Sequence, residues 1–112
     1  MHATLEIDTH DSGLGFALFG ANATIGAGTS VELPGDAKLT CQSLYIRKAL
    51  GAPETLTLVV SFGSGVAAGL VADWLYEKLR GRATSLRIDR VEIQIEAGEI
   101  RRLLVEKIEK KE

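Results

Sequence analysis

The sequence predicts an α+β fold: a single domain, with a mixed or antiparallel sheet of about five to six strands and two main helices packed on it. Three observations carry this. Period-two alternation of apolar and polar residues dominates the first 62 positions and returns over 84–96. Two helical stripes come late, at about 65–80 and 97–110. The order is strands first, then strand, helix, strand, helix, which places helices on one face of a sheet. A chain of 112 residues suits one domain, 1–112.

Composition narrows the class. With 46% hydrophobic and 25% charged residues the chain is globular rather than disordered. Only 5% is aromatic, so the core must be built from Leu, Ile, Val and Ala. A formal net charge of -2 makes no case for nucleic acid or an acidic membrane surface. One cysteine, Cys41, excludes an internal disulfide and leaves no metal-ligand spacing. That suits a reducing cytoplasm, and no leader-like stretch opens the chain.

In order, Ala3 to Asp8 alternates, with Leu5 and Ile7 on one face and Thr4, Glu6 and Asp8 on the other. Asp8 to Gly13 is dense in turn formers. Leu14 to Phe19 reads as a second strand, paired with the first as a hairpin. Gly20 to Gly28 reads as a loop with a short strand near Thr24-Ile25. Thr29 to Leu33 alternates again. Pro34-Gly35-Asp36 forms a turn, because Pro presets φ and Gly accepts the positive φ that follows. Lys38 to Cys41 returns as the partner strand, with Leu39 and Cys41 inward. Ser43 then caps a short helix over 43–50, ended by Gly51 and Pro53. The competing reading is one helix from Ala37 to Leu50; Thr40 and Cys41 are poor helix formers and favour the hairpin.

Glu54 to Phe62 is the central strand, apolar on both faces at Val59-Val60, which suits a strand covered on both sides at its end. The following helix carries Ala67, Leu70, Val71, Trp74, Leu75 and Leu79 as its stripe, and Gly81 fits the position just past its end. Thr84 to Glu96 is extended, but its phase slips at Asp89-Arg90. A one-residue bulge explains the slip; a tight turn is the alternative, although neither residue favours one. The last helix buries Ala97, Ile100, Leu103, Leu104 and Ile108.

Several stretches carry a chemical reading beside a structural one. Gly63-Ser64-Gly65-Val66-Ala67-Ala68 matches G-x-G-x-x-A between a strand and a helix, with Asp89 at the end of the next strand region. Free N–H groups at a helix start attract phosphate, and glycine lets a ligand approach. Gly63, Ser64, Gly65 and Asp89 are therefore the candidate cofactor-binding residues, with no cofactor assigned. A nucleotide fold needs several strand–helix–strand units and only one is present, so tight packing of the turn is the plainer reading. Ser64 lacks the flanking glycines of a nucleophile elbow, and His2 and His10 both precede it. His10 with Asp8 and Asp11 has no second cluster to complete a metal site. No catalytic residue is assigned.

Residues 55–72 are uncharged, with Gly65 and Gly69 spaced as G-x-x-x-G and Trp74, Tyr76, Lys78, Arg80 and Arg82 beyond them. That is the lower length limit for a membrane span. The strand periodicity at its start and the stripe running past Asp73 favour strand, turn and helix instead. Arg80, Arg82, Arg87, Arg90, Arg101 and Arg102 interleave with Glu77, Asp89, Glu92, Glu96 and Glu99, which reads as solvated, ion-paired faces.

The run Leu56-Thr-Leu-Val-Val-Ser-Phe-Gly-Ser-Gly-Val-Ala-Ala-Gly-Leu, then Trp74-Leu75 and the strand from Arg87 to Ile95, resembles the small effector-associated constant components of bacterial conflict systems. The resemblance covers residues 55–96 and rests on pattern. It implies a non-enzymatic adaptor that recruits an effector in defence. The expected function is thus a small cytoplasmic interaction or regulatory protein, working through a protein partner or as a homo-oligomer, without nucleic acid or membrane. A phosphate-binding module at Gly63-Ser64-Gly65 and a membrane-associated protein using 55–72 are the alternatives.

Overall fold

The computed structural model describes residues 2–11, 13–20, 27–45 and 54–109, apart from the side chains of Phe16, Leu44 and Tyr45. Its elements are β1 (His2–Thr9), α1 (Leu14–Phe19), β2 (Ser30–Leu33), β3 (Ala37–Tyr45), β4 (Glu54–Phe62), α2 (Ala68–Leu79), β5 (Ala83–Ile88), β6 (Val91–Ile93) and α3 (Ala97–Glu109). The six strands form one sheet in the order β2-β3-β4-β1-β5-β6, and every neighbouring pair is antiparallel. The α+β architecture expected from the sequence is present, with three helices, two of them long.

Register explains the core. Leu5 lies opposite Leu58 on one side and Ile88 on the other, while Leu39 lies opposite Val60 and Cys41 opposite Leu58. Alternate residues of four strands thus fall on one face, where Ala3, Leu5, Ile7, Leu39, Cys41, Leu58 and Val60 are wholly inaccessible to solvent. Val71, Ala72, Leu75 and Leu79 of α2, Ile100 and Leu104 of α3, and Leu14, Leu18 and Phe19 of α1 join them in a single cluster. Each fully buried Leu or Ile contributes roughly 1.5–3 kcal/mol relative to exposure. All three helices therefore cover the same face of the sheet. The two edges are short, four residues in β2 and three in β6, which limits edge-to-edge pairing.

Five expectations are corrected. Leu14 to Phe19 is helix, not a strand paired with β1. The Asp11 side chain accepts the Gly13 N–H at 2.8 Å, and the Asp11 carbonyl accepts the Leu14 N–H at 3.1 Å, so the chain turns into a helix there. β1 pairs instead with β4 and β5 in the centre of the sheet. Ser43 does not cap a helix: β3 runs on to Tyr45 through a register shift between Cys41 and Ser43, which leaves Gln42 outside the pairing. That also removes the single-helix reading for 37–45. Positions 46–50 and the short strand expected near 24–25 lie outside the described residues.

The stretch expected to be one bulged strand over 84–96 is a hairpin of β5 and β6, ending at Ile93. Asp89 and Arg90 form its two-residue turn with φ of 49° and 72°. Both central residues at positive φ define the turn that matches strand twist, normally made by Asn-Gly. The turn keeps Leu86, Ile88, Val91 and Ile93 on one face through the pairs Leu86–Ile93 and Ile88–Val91, which is the phase slip seen in the sequence. Helix α2 begins at Ala68, three residues later than expected, and its buried arc is rotated. Leu70 is 54% exposed while Ala72 is fully buried. The cause is α3, which packs along α2 with Arg101 over Gly69, drawing the small-residue side of α2 inward. Residues 55–72 thus form strand, turn and the start of α2. No helix among the described residues is long and apolar enough to cross a membrane.

Candidate functional site

The glycine turn that follows β4 is held by the turn between β2 and β3. Gly35 takes φ of 88° as the Pro-Gly pair demands, and Asp36 follows at 60°. This shape aims Asp36 at residues 63–65. The Asp36 carbonyl accepts the Gly63 N–H at 2.9 Å, and its Oδ2 accepts the Gly65 N–H at 2.9 Å. The Gly35 carbonyl accepts the Ala67 N–H at 2.9 Å. A side chain is excluded at one position in each turn. A Cβ on Gly63 would run into the Asp36 carboxylate, and one on Gly35 would lie 2.8 Å from the Ala67 carbonyl oxygen. The glycines therefore serve close packing of two loops, and a carboxylate from the chain itself occupies the N–H group that a phosphate would take. Ser64 is exposed at the tip.

Asp89 is placed elsewhere. β4 and β5 run parallel to each other because each is antiparallel to β1, which lies between them. A dinucleotide site needs the two strands of its unit side by side. Asp89 instead ties the β5–β6 turn to β1 and α3. Its Oδ1 accepts the Thr4 N–H at 2.9 Å, its own N–H donates to the Thr4 carbonyl at 2.8 Å, and Lys107 Nζ lies 2.8 Å from Oδ2. Burial pushes the Asp89 carboxyl upward, but the hydrogen bonds from Lys107 and Thr4 and the nearby positive charge outweigh it and hold it below the ordinary value. These ties also hold two non-glycine residues at positive φ, a conformation that costs roughly 1–2 kcal/mol per residue.

The second feature is the face of the sheet turned away from the helices. Thr4, Glu6 and Asp8 of β1, Thr55, Thr57, Val59 and Ser61 of β4, Lys38 and Thr40 of β3, and Ser85 and Arg87 of β5 alternate with the core residues and share this side. Its long central side chains are tethered. Arg87 Nε lies 3.5 Å from Glu6 Oε1, and Nη1 lies 3.7 Å from Asp8 Oδ2. Thr55 Oγ1 and Ser85 Oγ donate to the two Asp8 carboxylate oxygens at 2.9 Å each. A shallow open pocket of about 310 Å³, lined by Thr4, Glu6, Asp89 and Arg90, sits beside them.

The other sequence candidates are dispersed. Asp11 binds the Gly13 N–H and faces Arg82, while Asp8 is engaged on the open face, so the two do not converge with exposed His10. Among the described residues no group of three or more His, Cys, Asp or Glu is placed to hold a metal ion. Cys41 is in the core, where burial raises its thiol pKa. The arginines pair as surface faces do: Arg80 with Glu77, Arg82 with Asp11, Arg102 with Glu99 and Glu106. The sequence reading missed Asp36, whose signal was its place after Pro-Gly, and the shared side of the even-numbered β1 residues with the Thr and Ser of β4. No protein-family model, curated protein or solved structure matches the chain.

Proposed function

We propose that this is a small non-enzymatic interaction protein that works through protein–protein contacts, with a second copy of itself among its partners, using the open face of the sheet. One observation carries the reading. The strands put most of their aliphatic residues under three helices and present the other side uncovered among the described residues, surfaced in its middle by Thr4, Thr40, Thr57 and Val59. Short β-branched side chains lose little rotamer freedom when a partner covers them. The long ones, Glu6 and Arg87, already hold each other. At strand spacings of ~4.8 Å and ~3.3 Å per residue, such a face covers on the order of 500 Å² per copy. A face-to-face pair then buries about 1,000 Å², the lower end for a specific and reversible interface.

The resemblance of residues 55–96 to effector-associated constant components supplies a setting: an adaptor in a bacterial conflict system, in the cytoplasm. The test is light scattering after gel filtration, comparing the wild-type chain with a Thr57→Arg/Val59→Arg variant. Concentration-dependent association that the variant loses, at unchanged melting temperature, is expected. Association that survives the variant unchanged overturns the choice of face.

A second reading has one observation in its favour. The Gly65 N–H already donates to an anion, the Asp36 carboxylate, so a phosphate that displaced Asp36 would find a donor waiting. Thermal shifts with phosphate, ATP and NAD test it. A rise in melting temperature that is larger in Asp36→Ala supports a site, and no shift in either protein leaves the turn a packing device.

A further inference from the structure

We draw no further inference here: the strongest candidate, the N-terminus of α2, where Ala67 offers no side-chain cap and the exposed Arg101 of α3 lies over Gly69, carries nothing because no bound group and no buried unpartnered side chain points to a ligand there.

Discussion

The two faces of the sheet are made by the same strands and differ in what a substitution meets. On the helix side, Leu5, Leu58 and Val60 are wholly buried in one cluster with residues of α2 and α3. One residue away along the chain, Thr4, Thr57 and Val59 look outward and keep partial access to solvent. Neighbours in sequence thus meet opposite surroundings. The helix side holds the fold by volume and shape, and the open side is uncovered among the described residues. Stability and association should therefore separate cleanly between odd and even positions of β1, and between even and odd positions of β4.

Leu58→Ala gives the sharpest contrast. It removes a fully buried side chain at the centre of the core and is expected to cost about 2–5 kcal/mol in urea unfolding. A loss below about 1 kcal/mol would mean the helices do not press on that face.

Next in size is Gly35→Ala. The new Cβ meets both a φ of 88° and the Ala67 carbonyl at 2.8 Å. A loss of roughly 2 kcal/mol is expected from the strained backbone and the displaced loop. The same measurement on Gly81→Ala isolates the backbone part, because Gly81 has φ of 73° and nothing within 4 Å of its Cβ.

Asp89→Ala removes the acceptor of the Thr4 N–H and the partner of Lys107. With the carboxylate partly exposed, solvent screening keeps the loss to roughly 1 kcal/mol. The same group gives a pH dependence. Its folded pKa is depressed, so its contribution is present above the unfolded carboxylate value and is lost as pH falls through that value and then the folded one. Acid titration of stability in wild type and Asp89→Ala should show the two curves converging below about pH 4.

Arg90→Gly is smaller and of opposite sign. Arg90 holds φ of 72° in the hairpin turn, and glycine takes that conformation without Cβ strain. A gain of about 0.5–1 kcal/mol is expected. A loss instead would show that the Arg90 side chain contributes to the open pocket it lines.

Much of the fold was legible because burial is one-sided. The alternation at Ala3 to Asp8 and Thr55 to Leu58 and the stripe of α3 obey simple periods, and the Pro34-Gly35 turn follows from its residue types. Leu14 to Phe19 was not, because an unbroken apolar run has no period of its own and the Asp11 turn that starts the helix looks like any other turn. The hairpin at Asp89-Arg90 was hidden for a different reason. Its positive φ values are held by Thr4 and Lys107, distant in sequence, and no local preference records them. The candidate site was half legible. Gly63 and Gly65 announced close approach, but the approaching group is Asp36, 29 positions from Gly65, and only the folded chain brings them together.

The most direct test of the two-face account is a methyl NMR dilution series on the full chain. The resonances of Thr4, Thr40, Thr57 and Val59 are expected to move with concentration while those of Leu5, Leu58 and Val60 stay fixed. Shifts centred on exposed Leu70 of α2, or no shift at any concentration, would contradict self-association through the open face.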